Sequence, residues 1–128
     1  MDSLLCNEAG DLPLLKRDIP ADIVTEGEPV VSGRCVWVSG DRLAAVAVWS
    51  MTPGTLALSP DPNTADVAVV LSGRAEVRPK QGEPVTLKAG GIVSFPTQPY
   101  ELRVLETLRK VSYIKSTAPL ALRPEPLD

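Results

Sequence analysis

The chain contains no histidine in 128 residues. Ser-His-Asp and Cys-His catalysis are thereby excluded, as are zinc, iron or copper sites ligated by imidazole. Any chemistry must rest on Asp, Glu, Lys, Arg, Tyr, Ser, Thr, Cys or backbone groups. Cysteine is scarce as well. Cys6 and Cys35 are too few for a disulfide framework and are expected to be free thiols in a reducing compartment. Cys35 falls in an apolar, strand-like run, where a buried and inert thiol is the ordinary outcome. There is no surplus of basic charge: the net charge is −3 with both signs mixed along the chain, so no nucleic-acid partner is expected. No apolar run approaches the roughly 20 residues that cross a bilayer, so no membrane partner is expected. The first fifteen residues carry Asp2, Glu8 and Asp11 and lack a basic stretch ahead of an apolar one. They do not read as a signal peptide, and the expected location is the cytoplasm.

Long helices are missing too. Thirteen prolines and nine glycines interrupt the chain too often for one to fit. Between them lie short valine-rich segments, which read as strands: residues 30–38, 43–51, 55–58, 67–71, 75–78, 84–87, 92–95, 100–106 and 109–116. Turn signals separate them, among them Ser39-Gly40-Asp41, Thr52-Pro53-Gly54, Ser72-Gly73 and Ala89-Gly90-Gly91. Many short strands so punctuated predict an all-β sandwich or barrel. Arg74, Glu76 and Arg78 alternate with Ala75 and Val77, as on a strand with one wet face. Residues 67–71 have no polar position, which predicts burial on both faces. The length suits one domain, organised as an N-terminal arm (1–20), a barrel (21–116) and a proline-rich C-terminal tail (117–128).

Two segments resemble, in order and spacing, the paired signature motifs of the cupin superfamily. The first reads Gly54, five residues, Pro60-x-Pro62, three residues, Asp66, six residues, Gly73. The second reads Gly90, five residues, Pro96-x-Gln98, two residues, Glu101, three residues, Leu105. The wording of residues 48–54, 70–77 and 109–111 is similar to small cupins grouped with ureidoglycine aminohydrolase and ethanolamine-utilisation proteins. The resemblance implies a double-stranded β-helix, the jelly-roll barrel. In a metal cupin three histidines and a glutamate from these motifs hold the ion. Here their positions carry Pro60, Pro62, Asp66 and Glu101, and proline has no donor atom. No metal and no organic cofactor is therefore expected.

What the motifs leave is a pair of carboxylates, Asp66 and Glu101, which the resemblance turns toward the barrel interior. Two close carboxyls in an apolar pocket would push each other's titration apart and leave one protonated for acid–base work. The competing reading has Asp66 capping a turn and Glu101 paired with Arg103. Trp49, Gln98, Tyr100 and Arg103 are the candidate ligand contacts, each with a plainer account as core or surface. Three functions stay open: a metal-free cupin that binds a small molecule; a metal-independent isomerase, cyclase or hydrolase using Asp66 and Glu101; and a structural barrel packed solid. An open pocket would separate the first two from the third. Small cupins commonly pair, and a homodimer joined through strand edges and exchanged ends is expected.

Overall fold

A computed structural model describes residues 8–126 of the chain. Nine strands and one 3-10 turn (Ala21–Ile23) form it: β1 Leu15–Arg17, β2 Val24–Glu26, β3 Val31–Val38, β4 Ala44–Met51, β5 Gly54–Leu58, β6 Thr64–Pro79, β7 Val85–Lys88, β8 Ile92–Ser94 and β9 Tyr100–Ser116. All pairings are antiparallel, and the order β1-β3-β4-β9-β5-β2 runs across one curled sheet. Strand β6 joins the far side of β9 and carries β7 and β8 on its other edge. This is the all-β jelly-roll form expected from the motifs.

Two long strands, β6 and β9, span both halves of the sheet and fix which side chains face inward. Each was expected as two strands, and each is one. In β9 the even-numbered residues point in on either side of an exposed centre at Glu106: Leu102, Val104, Leu108, Lys110 and Ser112 are all buried. In β6 the inward set is Ala68 and Val70 in the first half but Ala75 and Val77 in the second. The change of phase takes place at irregular register between Val70 and Ala75. Gly73 sits there with φ of +91°, and a Cβ on it would lie 2.0 Å from the Thr107 carbonyl oxygen. Ser72-Gly73 is thus a bulge rather than a turn, and only glycine fits it.

Residues 67–71 also differ from expectation. Val67 and Val69 are 41% and 43% exposed, because the outer face of this half of the sheet lies open. Cross-strand register sets Val69 beside Ile92 and Val67 beside Tyr113, and all four are exposed apolar groups. On the inner face Met51, Leu56, Leu102, Leu108 and Phe95 build the main core.

Both chain ends fold back on the same barrel. Leu12 is buried, Arg109 donates to the carbonyl oxygens of Ala9 and Leu12, and Arg34 donates to that of Pro13 at 2.7 Å. Arg34 also holds the tail through Glu125 and Pro126 carbonyl oxygens, and Arg42 holds it through those of Leu120 and Leu122. Glu125 pairs with Arg17 and accepts from the Cys35 amide. Cys35 is a buried free thiol, and burial pushes it above its ordinary titration range. Leu4, Leu5 and Cys6 lie outside the described residues. No helix among the described residues is long and apolar enough to cross a membrane.

Candidate functional site

The inward faces of β4, β6 and β9 leave a cavity of about 220 Å³ inside the curl. Trp49 from β4, Phe95 from the end of β8, and Tyr100 from β9 give it aromatic walls. The Phe95 and Tyr100 rings stack with centroids 5.9 Å apart. Asp66 from β6 and Lys110 and Ser112 from β9 supply its polar groups. A larger space of about 570 Å³ under the tail shares Ala47, Trp49 and Ile114 with it, so the two adjoin.

Lys110 is the centre of this arrangement. It is 6% exposed, and its ammonium lies 4.8 Å from the Trp49 ring centroid and 4.9 Å from that of Phe95. Its Nζ donates to Ser112 Oγ at 2.6 Å and lies 3.7 Å from Asp66 Oδ2. The rings and the carboxylate favour the charged form, whereas burial opposes it. Burial is the larger influence and holds Lys110 below its ordinary value despite Asp66. Burial, and then the charge of Asp66, push the Tyr100 phenol well above its usual range. At neutral pH Tyr100 is therefore a hydroxyl donor and not a phenolate. The Asp66 Oδ1 atom is buried and has no hydrogen-bond partner among the described residues. A buried acceptor left so is costly unless a ligand or water completes it.

The residues singled out in the sequence divide between the two faces. Asp66, Trp49 and Tyr100 line the cavity. Glu101 and Arg103 do not, because they occupy odd positions of β9 while the even ones face inward. Glu101 is cross-strand from Arg78, and Arg103 lies 3.9 Å from Glu26. The expected Asp66–Glu101 dyad is therefore corrected: strand alternation turns the two away from each other, and the repulsion argument loses its geometric premise. The competing account is also revised, since Arg103 meets Glu26, and Asp61 rather than Asp66 closes the turn after β5. Gln98 is exposed in the loop before β9 and is not part of the cavity wall.

Lys110 was missed from sequence. Dividing β9 at residues 107–108 hid that the inward phase of Leu102 and Val104 resumes at Leu108, which puts a lysine on the apolar face. The even spacing of Leu102, Val104 and Leu108 was the available signal, interrupted by Glu106 and countered by the apolar Val111 and Tyr113 in the opposite phase.

The metal implied by the motif spacing does not suit these donors. Pro60 and Pro62 lie in the loop after β5, Glu101 faces outward, and the nearest charged neighbour of Asp66 is an ammonium. Among the described residues no three His, Cys, Asp or Glu side chains gather. A single carboxylate beside a cation is a poor seat for a divalent ion.

Residues 38–111 match the family model described as the EutQ-like cupin domain. No curated protein matches the chain. Among solved structures it is similar to ethanolamine utilization protein Q of Salmonella typhimurium, with 21% identity and a TM-score of 0.57 over 69% of this chain and 70% of that one. It is similar to ectoine synthase of P. lautus at 17% identity and a TM-score of 0.62, covering 77% and 80% of the two chains. A cupin domain from Schizosaccharomyces pombe is 13% identical with a TM-score of 0.65, covering 88% and 74%. At these identities the structural likenesses speak to the fold.

Proposed function

The chain belongs to the EutQ-like cupin family, and from that premise we propose that it is a cytoplasmic cupin that binds a small organic molecule inside its barrel without a transition metal. The observation that carries this reading is the cavity beside Asp66 and Lys110, with a buried carboxylate oxygen that has no partner among the described residues. A barrel packed solid would hold no such space, so the purely structural alternative is disfavoured. The tethered ammonium of Lys110 takes up the role of the interior cation, and Asp66 provides the acceptor. Trp49, Phe95 and Tyr100 supply apolar contact, which is how small-molecule sites gain affinity, with a few polar groups setting orientation. At about 220 Å³ the cavity lies below the ~300–1,000 Å³ of drug-sized sites, so the ligand is small.

An acid–base enzyme remains the second reading, now with Asp66 and Lys110 rather than Asp66 and Glu101 as the proton-handling groups. Pairing of two copies is proposed as well, through the exposed outer face that includes Val67, Val69, Ile92 and Tyr113.

Trp49 reports on the site directly. In a Trp37→Phe background, emission from Trp49 titrated with small aromatic and aliphatic alcohols, acids and carbonyl compounds should shift saturably with at least one class. Lys110→Met or Asp66→Asn should weaken that binding. No saturable change with any compound class removes the pocket reading.

A further inference from the structure

We propose that Lys110 captures a small aldehyde or ketone as an imine inside the barrel, with Asp66 carrying the proton. This deepens the binding-site reading above and rests on it.

The geometry has three independent parts. First, Nζ of Lys110 borders a cavity of about 220 Å³ and is held in place by Ser112 Oγ at 2.6 Å. A nucleophile so fixed does not lose orientation when a carbonyl enters beside it. Second, Asp66 Oδ2 lies 3.7 Å from that nitrogen while Oδ1 is buried and unpartnered. A carbinolamine hydroxyl formed on the ligand could donate to this acceptor, which none of the described residues satisfies. Third, the walls are Trp49, Phe95, Tyr100, Leu58 and Leu102. They hold Lys110 at 6% exposure, which limits access of bulk water to an imine formed on it, and they fit an apolar substituent on the carbonyl carbon. Desolvation by these same walls keeps part of the lysine as free amine, the form that attacks.

The chemistry balances without oxidant or reductant. The Nζ lone pair forms a bond to the carbonyl carbon, and the C=O π pair moves to oxygen. Asp66 takes one proton from the nitrogen and returns it to that oxygen, giving the neutral carbinolamine. The second nitrogen proton follows the same route as the C–O bond breaks, the C=N bond forms and one water leaves. Tyr100, held as a neutral phenol and also on the cavity wall, is the second donor available to the ligand.

Butanal with sodium cyanoborohydride at pH 7 tests this on the full chain, because the reductant converts an imine into a stable butylamine that peptide mapping can place. Lys16, Lys80, Lys88 and Lys115 are exposed and serve as internal controls. Burial lowers the titration of Lys110 and so raises its free-amine fraction above that of the exposed lysines, so Lys110 should be the lysine alkylated fastest. Asp66→Asn should slow capture at Lys110 and leave the exposed lysines unchanged. Lys110→Arg, which keeps the charge but cannot form an imine, should lose the trapped product at this position. Alkylation of Lys110 no faster than the exposed lysines overturns the proposal. If butanal or butanol still shifts Trp49 emission in that case, the binding site survives and only the imine is lost.

Discussion

Replacing Lys110 by methionine isolates what a buried ammonium costs this fold. Methionine keeps an unbranched apolar stem and removes the charge. Two opposing influences act on the wild-type group. An opposite charge at about 4 Å is worth about 4 kcal/mol at an effective dielectric constant of ~20. The Asp66 side chain, however, is 35% exposed, so water screens its attraction below that figure. Desolvating an ammonium costs several kcal/mol, and Lys110 is 6% exposed. Burial wins, which is why the group titrates below its ordinary value. Between that lowered folded value and the unfolded one of about 10.4, the unfolded chain binds more protons than the folded chain, so stability rises with pH. Below the interval the folded state carries a penalty of about 1.4 kcal/mol for each unit of depression. Above it the penalty is gone. Wild type should therefore gain stability relative to Lys110→Met as pH rises through the interval between the lowered folded value and about 10.4, by up to about 1.4 kcal/mol per pH unit. Urea unfolding at a series of pH values measures the gap, and groups such as Tyr100 and Cys35, which are present in both proteins, largely cancel in the difference. Parallel curves across the range, or a gap moving in the variant's favour, refute the reasoning.

Gly73→Ala and Gly90→Ala separate backbone strain from collision. Both glycines have φ near +90°, but a Cβ at Gly90 meets nothing within 4 Å whereas one at Gly73 strikes the Thr107 carbonyl. The first should cost well over 3 kcal/mol or prevent folding, and the second about 1–2 kcal/mol; equal losses in chemical denaturation would contradict the bulge. Light scattering should report a dimer that Ile92→Glu together with Val69→Lys converts to monomer, and a wild-type monomer across the micromolar range would dismiss the pairing. Elemental analysis of protein purified without chelator or affinity tag should find no stoichiometric Fe, Mn, Ni or Zn, and a full equivalent in the barrel would overturn the metal-free site.

The fold was legible because turn residues and valine-rich segments report local preferences that the sheet obeys. Strands β3, β4, β5, β7 and β8 lie within a residue or two of their expected limits. What failed was longer in range. Ser72-Gly73 has the composition of a turn, and only the Thr107 carbonyl opposite decides that it is a bulge. Asp66 was reached through motif spacing, and Trp49 and Tyr100 as aromatics near the barrel and its mouth; all three line the cavity. Glu101 was misplaced because motif spacing was followed against alternation, and its neighbours Tyr100 and Leu102 show which rule holds. Lys110 escaped because a charged residue on an apolar face reads as surface until the strand containing it is seen whole.

Arg34 meets both ends of the chain at once, donating to Pro13 on the arm and to Glu125 and Pro126 on the tail. Arg42 and Arg109 grip the remaining carbonyl oxygens. Every one of these bonds is made to the peptide backbone, which is the same whatever side chain it bears. The instructions for closing the barrel are thus written in Arg34 and Arg109 of the sheet and Arg42 of the turn before β4, and not in the segments that close it. Residues 8–14 and 118–126 are free to drift, apart from anchors such as Leu12 and Glu125. Because one guanidinium serves both segments, they should also come loose together, as a single cooperative unit.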